Sequence, residues 1–531
     1  MYDYILKNGA LVIGDGSAPV TGDLAIEKGR IRELGSNINK PAKTVLDVSG
    51  QYVTPGFIDI HRHADARLFL DGFGELELRQ GLTTIVNGNC GLSIIPCPVR
   101  YRKEIHRFLL PVTGSVPEEA KFEDFASYAE AVRSHELSVN VGMLIGNGTV
   151  RAAVRGYETG KLSGAEKEQV KHYLRSSLKA GALGVSLGIV YAPEYNYELE
   201  DFVELLEPMK DYEVPLVAHI RGEGDTICES LEEVIEIARR LEVPLHISHL
   251  KIIGARNWNT KAQQALNMIE AARQSGMDIT CDLYPYTAGS TQLIQILPPE
   301  YLEGGFEKIT ARLKCRAERD ALTAILRQPS KRFENLVSSI GWSNIYPTTM
   351  RSAGNRIYIG KSIEEIAALL HKDPYECAYD LLVEEQCEIS MVDYIASEDD
   401  IMRIMKSPYS SIISDTVYPD GGLPHPRMYG TYPRILQKYV KEEGLLTIEE
   451  AVRKMTSMPA EVYHLAGKGL LKPNMDADIN VFELEKISTK ATYRDPIHMA
   501  TGFSYIFVNG ELAVRQDDYT GAKAGKFLTR S

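Results

Sequence analysis

Eight apolar runs, separated by segments of helical pattern, constrain this sequence more than any other feature. They fall at 52–61, 82–88, 139–145, 183–190, 215–220, 244–250, 277–283 and 410–415. Short apolar runs bounded by turn signals read as buried strands. The segments between them, such as Ser230–Leu241 and Thr260–Ser275, place apolar residues at helical spacing. Strand–helix alternation builds a parallel sheet. Eight such units close into an α/β (β/α)8 barrel, whose chemistry sits at the C-terminal ends of its strands. The gap before the eighth run is far too long for one helix. Residues 291–347, with a helix expected over Gly305–Arg327, are read as an insertion and a candidate lid.

Residues 1–54 are short alternating strands with turns at Asp15-Gly16 and Lys28-Gly29. They are too few to bury a core alone. Residues 477–482 and 505–514 have the same character. The two ends, 1–54 and 467–531, are therefore expected to form one small β-domain beside a barrel spanning 55–466, and 531 residues suit that division. A net charge of −13 argues against nucleic acid or an anionic membrane as partner. Seven cysteines give no disulfide framework. The first residues lack a signal-peptide pattern and no apolar run could span a bilayer, so a cytoplasmic protein is expected. Oligomeric state leaves no mark in the sequence.

Polar groups gather at the ends of the runs. His61 and His63 lie two apart, so a strand would aim both imidazoles the same way and Arg62 the other. Such a pair suits a borderline-soft divalent metal. Cys90 ends Val86-Asn-Gly-Asn-Cys-Gly91, a setting that presents a thiolate to a metal. His219 and His249 end the fifth and sixth runs. Parity puts Ile247 and His249 on one face, which sends His246 outward to a structural role among the helices. Asp415 ends the eighth run on the face of Ile413. Any one of these residues has an ordinary structural explanation; six polar groups on one rim do not.

These motifs give the chain a resemblance to the amidohydrolase superfamily, and within it to the N-acyl-D-amino-acid deacylases, or D-aminoacylases. It is carried by Pro55-Gly-Phe-Ile-Asp-Ile-His-Arg-His-Ala-Asp65, Asn87-Gly-Asn-Cys-Gly91, Ala218-His219, Ser248-His-Leu-Lys251, Asp282-Leu-Tyr-Pro-Tyr-Thr-Ala-Gly-Ser290, Ser414-Asp415 and the segment from His425 to Arg434. Arg62 stands where the family commonly has a small or polar residue, and Thr416 where it commonly has Gly. The run 184–191 contains no lysine, whereas many superfamily members bridge two metals with one; the resemblance implies that Cys90 serves instead. It further implies zinc at a tight site of Cys90, His219 and His249, with His61, His63 and Asp415 offering a second, weaker position. Asp415 would be the proton carrier in amide hydrolysis. Substrates would be small molecules with an α-carboxylate, for which Tyr191, Lys251, Tyr286, Ser290 and Arg427 are candidate donors. D stereochemistry follows from the resemblance alone. A cyclic-amide hydrolase of the dihydroorotase or hydantoinase kind is the alternative enzyme, and a catalytically dead barrel serving as a binding or assembly protein the alternative outside enzymes.

Overall fold

The computed structural model describes residues 1–118, 120–158 and 160–530. Its barrel strands, numbered one to eight here, are Phe57–Asp59, Leu82–Asn87, Asn140–Met143, Val185–Gly188, Leu216–His219, Leu245–Ile247, Ile279–Leu283 and Ser410–Ile412. Parallel pairing runs from strand one to strand three, continues from Ile145–Gly146 at the end of strand three, and passes on to strand eight. Strands eight and one close the ring beyond their ends. The Asp415 amide donates to the His61 carbonyl (2.9 Å) and the His63 amide to the Thr416 carbonyl (3.0 Å). The backbone that closes the barrel thus also carries three of the expected site residues. Inside, Ile58, Ile60, Val86, Leu183, Val217 and Ile413 pack together as an apolar plug.

Both termini share a nine-stranded sheet. Its centre is Tyr52–Pro55, which pairs in parallel with Tyr2–Leu11 and antiparallel with Ile479–Phe482. Leu6, Leu24, Ile26, Val53, Ile479 and Phe507 form its own core. The run 52–61 is therefore not one strand but two, in two different sheets. The break is Gly56, where any Cβ would collide with the side chain of Thr83, so the chain crosses there without a side chain. After Tyr519 the chain leaves the sheet and lies along strand three, the Gly525 amide donating to the Leu137 carbonyl at 2.8 Å.

The excursion between strands seven and eight extends well beyond 291–347. Ala288–Gln292, Ile345–Pro347 and Ser390–Tyr394 form a three-stranded antiparallel sheet with Ser390–Tyr394 in the middle. The helix expected over 305–327 is two helices, Gly305–Leu313 and Arg316–Leu326. The first buries Phe306, Ile309 and Leu313, the second Leu322 and Leu326. Leu313 and Leu322 are about two and a half turns apart, on opposite sides of any continuous helix, so a break brings both inward. Among the described residues no helix is long and apolar enough to cross a membrane, and all seven cysteines are free.

Candidate active site

The mouth of the barrel is shaped by left-handed backbone. Cys90, His249 and Asp415 have φ of 55°, 35° and 53°, a region non-glycine residues enter at a cost that clusters at functional sites. This overturns the parity argument for His246. Strand six ends at Ile247, which joins the outer apolar layer. His246 is level with Val217 of the interior, so it points into the barrel. Its Nδ1 lies 2.7 Å from Thr280 Oγ1 and its Nε2 2.9 Å from Asp282 Oδ2. The left-handed turn at His249 then swings that imidazole into the mouth against the alternation.

The six expected ligands converge in two groups that share Cys90. Donor atoms of His61, His63, Cys90 and Asp415 lie within 4.8 Å of one another, as do those of Cys90, His219 and His249. Cys90 Sγ is 3.2 Å from His61 Nε2 and 3.4 Å from His249 Nε2. Asp415 Oδ1 is 3.4 Å from Nε2 of both His61 and His63. Two carboxylates that sequence reasoning gave no role stand behind the imidazoles. Glu223 Oε1 is 3.0 Å from His249 Nδ1, and Asp282 Oδ2 is 3.6 Å from His61 Nδ1. Asp282 also accepts a hydrogen bond from the His249 amide. Such partners fix which nitrogen faces a metal. Arg62 points away, as expected, into a buried cluster with Asp59 (3.2 Å), Glu77 (2.9 Å) and the Tyr418 hydroxyl (3.0 Å). That cluster accounts for an arginine between two histidines.

Burial opposes charge on all of these groups, yet the cluster is charged. Against burial, the charges of His61 and His249 hold the Cys90 thiol well below its usual range. Against burial, Arg427 and then His63 and His61 do the same to Asp415. The imidazoles answer: burial and Lys251 work against a proton on His249, but Glu223 and Cys90 push it up to about 9. Only His219 moves down, through burial and the charge of His249. A buried thiolate and carboxylate that draw positive charge, ringed by four imidazoles, form a donor set that fits zinc.

The mouth opens into a cavity lined by Tyr191, Lys251, Tyr284 and Ser290 as well as Cys90, His219, His249 and Asp415. Lys251 Nζ is held by Glu223 Oε1 at 2.6 Å. The Tyr191 hydroxyl is 3.3 Å from Thr291 Oγ1. Arg427 is fully buried behind the wall, 2.8 Å from Asp415 Oδ2, donating to the Ser290 carbonyl at 3.1 Å and stacked over Tyr284. Tyr286 does not line the cavity. A tight turn, with the Tyr286 amide 3.0 Å from the Tyr284 carbonyl, sends its ring against His425 and Tyr493 instead. Tyr284 takes its place on the wall.

A model of the amidohydrolase family matches residues 316–512. Over its full length the chain is 31% identical to the D-aminoacylase of Alcaligenes xylosoxydans xylosoxydans, covering 98% of that protein. The chain belongs to the D-aminoacylase family of amidohydrolases. A solved D-aminoacylase described by its binuclear metal centre superposes with a TM-score of 0.84 at 29% identity, both chains covered completely. The N-acyl-D-glutamate deacylase of Bordetella bronchiseptica, complexed with zinc and a phosphonate that mimics the tetrahedral intermediate, gives 0.83 at 28%, again with complete coverage. The L-hydantoinase of Arthrobacter aurescens, at 14% identity and a TM-score of 0.58, shares the fold alone. In this D-aminoacylase relative, strand four, Val185–Gly188, carries no lysine. Gly188 lets the Cys90 carbonyl approach where a Cβ would clash, which brings the Cys90 loop over the strand end.

Proposed function

We propose that this protein hydrolyses the amide bond of N-acyl-D-amino acids with zinc at the barrel mouth, releasing a carboxylate and a free D-amino acid. The observation that carries the reading is the sharing of Cys90 by two ligand groups, beside a carboxylate paired with a buried arginine. Cys90, His219 and His249 would hold the tight zinc, while His61, His63 and Asp415 would offer a second, weaker position. When bound, zinc supplies Lewis acidity for the amide carbonyl and the attacking water. Asp415 takes the proton of that water and delivers it to the leaving amine, one group serving both transfers. Lys251, Tyr191, Tyr284 and Ser290 are the donors for the α-carboxylate, while Arg427, buried behind the wall, holds Asp415 in place. The D preference is supported by the substrates named for the relatives. The seven free thiols support a reducing compartment such as the cytoplasm.

Zinc-loaded protein assayed on paired N-acetyl D- and L-amino acids and on cyclic imides tests this directly. D-selective release of free amino acid is expected. Equal rates on the L series, or ring opening as the dominant activity, would overturn it.

A further inference from the structure

The charges on the cavity wall bear on which side chains the site accepts. Most of the exposed lining is apolar, with Leu92, Val112, Val190, Ile253, Leu336 and Val417 contributing. Among the described residues, Lys251 is the one lysine or arginine on that wall, and Glu223 holds it at 2.6 Å; the imidazoles of His63, His219 and His249 belong to the two metal-type groups. Arg427, behind the wall, is held by Asp415 at 2.8 Å. Two further carboxyls, Glu334 and Asp393, face the cavity. Glu334 accepts the amides of Glu223 (3.0 Å) and Gly224 (2.8 Å). Asp393 Oδ1 is buried without a hydrogen-bond partner.

This inference rests on the function proposed above. With Lys251 turned to the α-carboxylate and Arg427 held behind the wall by Asp415, no lysine or arginine remains for a second carboxylate. An acidic side chain would then be buried unpaired beside two carboxyls, a costly arrangement in either protonation state of those carboxyls. An apolar side chain would instead gain by burial against the wall. A cationic side chain could pair only with Glu334, whose Oε2 already holds two backbone amides, or with the buried Asp393, and would have to give up its water on a largely apolar wall to do so. We infer that the chain selects N-acyl-D-amino acids with neutral, apolar side chains and rejects acidic ones, with Glu334 of the inserted segment enforcing the rejection. It would differ in this from its N-acyl-D-glutamate deacylase relative.

The test is kcat/KM of the zinc-loaded protein on the N-acetyl derivatives of D-leucine, D-glutamate and D-lysine. D-leucine should exceed D-glutamate by roughly 10²-fold or more, the scale of an unpaired buried charge. A D-glutamate value equal to or above that of D-leucine overturns the inference, and so does D-lysine as the best substrate. Glu334→Gln should narrow the leucine-to-glutamate ratio about 10-fold, mainly through KM for the acidic substrate; an unchanged ratio removes Glu334 from the account. If Glu334→Gln fails to fold, Leu336→Arg supplies the missing cation and should narrow the same ratio, with no change again counting against it. Failure to hydrolyse any of the three by protein that binds zinc would instead sink the deacylase reading itself.

Discussion

The two groups of candidate ligands share one thiolate and differ in everything around it. His219 and His249 come from consecutive strands, and the nearest fixed cation, Lys251, is engaged by Glu223. His61 and His63 come from one segment and share Asp415, whose other oxygen already meets Arg427 at 2.8 Å. A metal cation in this second group must therefore compete with a guanidinium for its only carboxylate. The first group presents Cys90 with no such rival. Similar donors thus predict unequal affinities, one tight position and one weak. The same contrast leaves Asp415 available to handle a proton.

Cys90→Ala strikes both groups at once and should have the largest effect. Bound zinc should fall below one equivalent per chain by elemental analysis. Activity should drop by more than the roughly 10²–10³-fold that losing one electrostatic stabiliser costs. Undiminished zinc would show the cysteine to be structural and dissolve the comparison. Asp415→Asn separates the groups: kcat should fall ~10²–10⁴-fold while zinc at Cys90, His219 and His249 is retained. Near-normal kcat would give the proton to another residue, and complete zinc loss would make Asp415 chiefly a ligand.

His246→Ala probes the support beneath His61. Through Asp282 it should weaken metal binding or activity by about 10–100-fold, the usual cost of losing a residue that orients a ligand. No change would mean the His246–Asp282 contact serves packing alone. Arg427→Gln should have the smallest effect on rate and the most revealing one on metal. KM should change little, since Arg427 stands behind the wall, while a second zinc binds more tightly. A second site left as weak as before would show that Arg427 does not limit it.

The barrel and the paired termini were legible because both follow simple periods. Alternation in Tyr2–Leu11 and Ile479–Phe482 and the strand–helix rhythm between them are properties of sequence. The residues that converge at the mouth were legible as polar residues at strand ends. What the periods hid was the backbone's departure from them. At His249 a φ of 35° reverses the face, so the parity that aimed His249 at the mouth assigned His246 to the wrong side. Gly56 divides one apolar run between two sheets, through a contact with Thr83 that no local pattern announces. A two-residue turn without periodicity puts Tyr284, rather than the expected Tyr286, on the cavity wall. Glu223 lies four residues beyond His219, in a loop without periodicity. Asp282 could have been found, since it stands two positions after Thr280 on the inward face of strand seven.

The central claim is that one tight zinc, held through Cys90, makes the mouth catalytic. The most direct test is titration of zinc into metal-free protein while following release of D-leucine from N-acetyl-D-leucine. The account predicts that kcat rises from background and reaches its maximum by about one equivalent. Activity in the metal-free protein, or activity that appears only after the second equivalent binds, would contradict it.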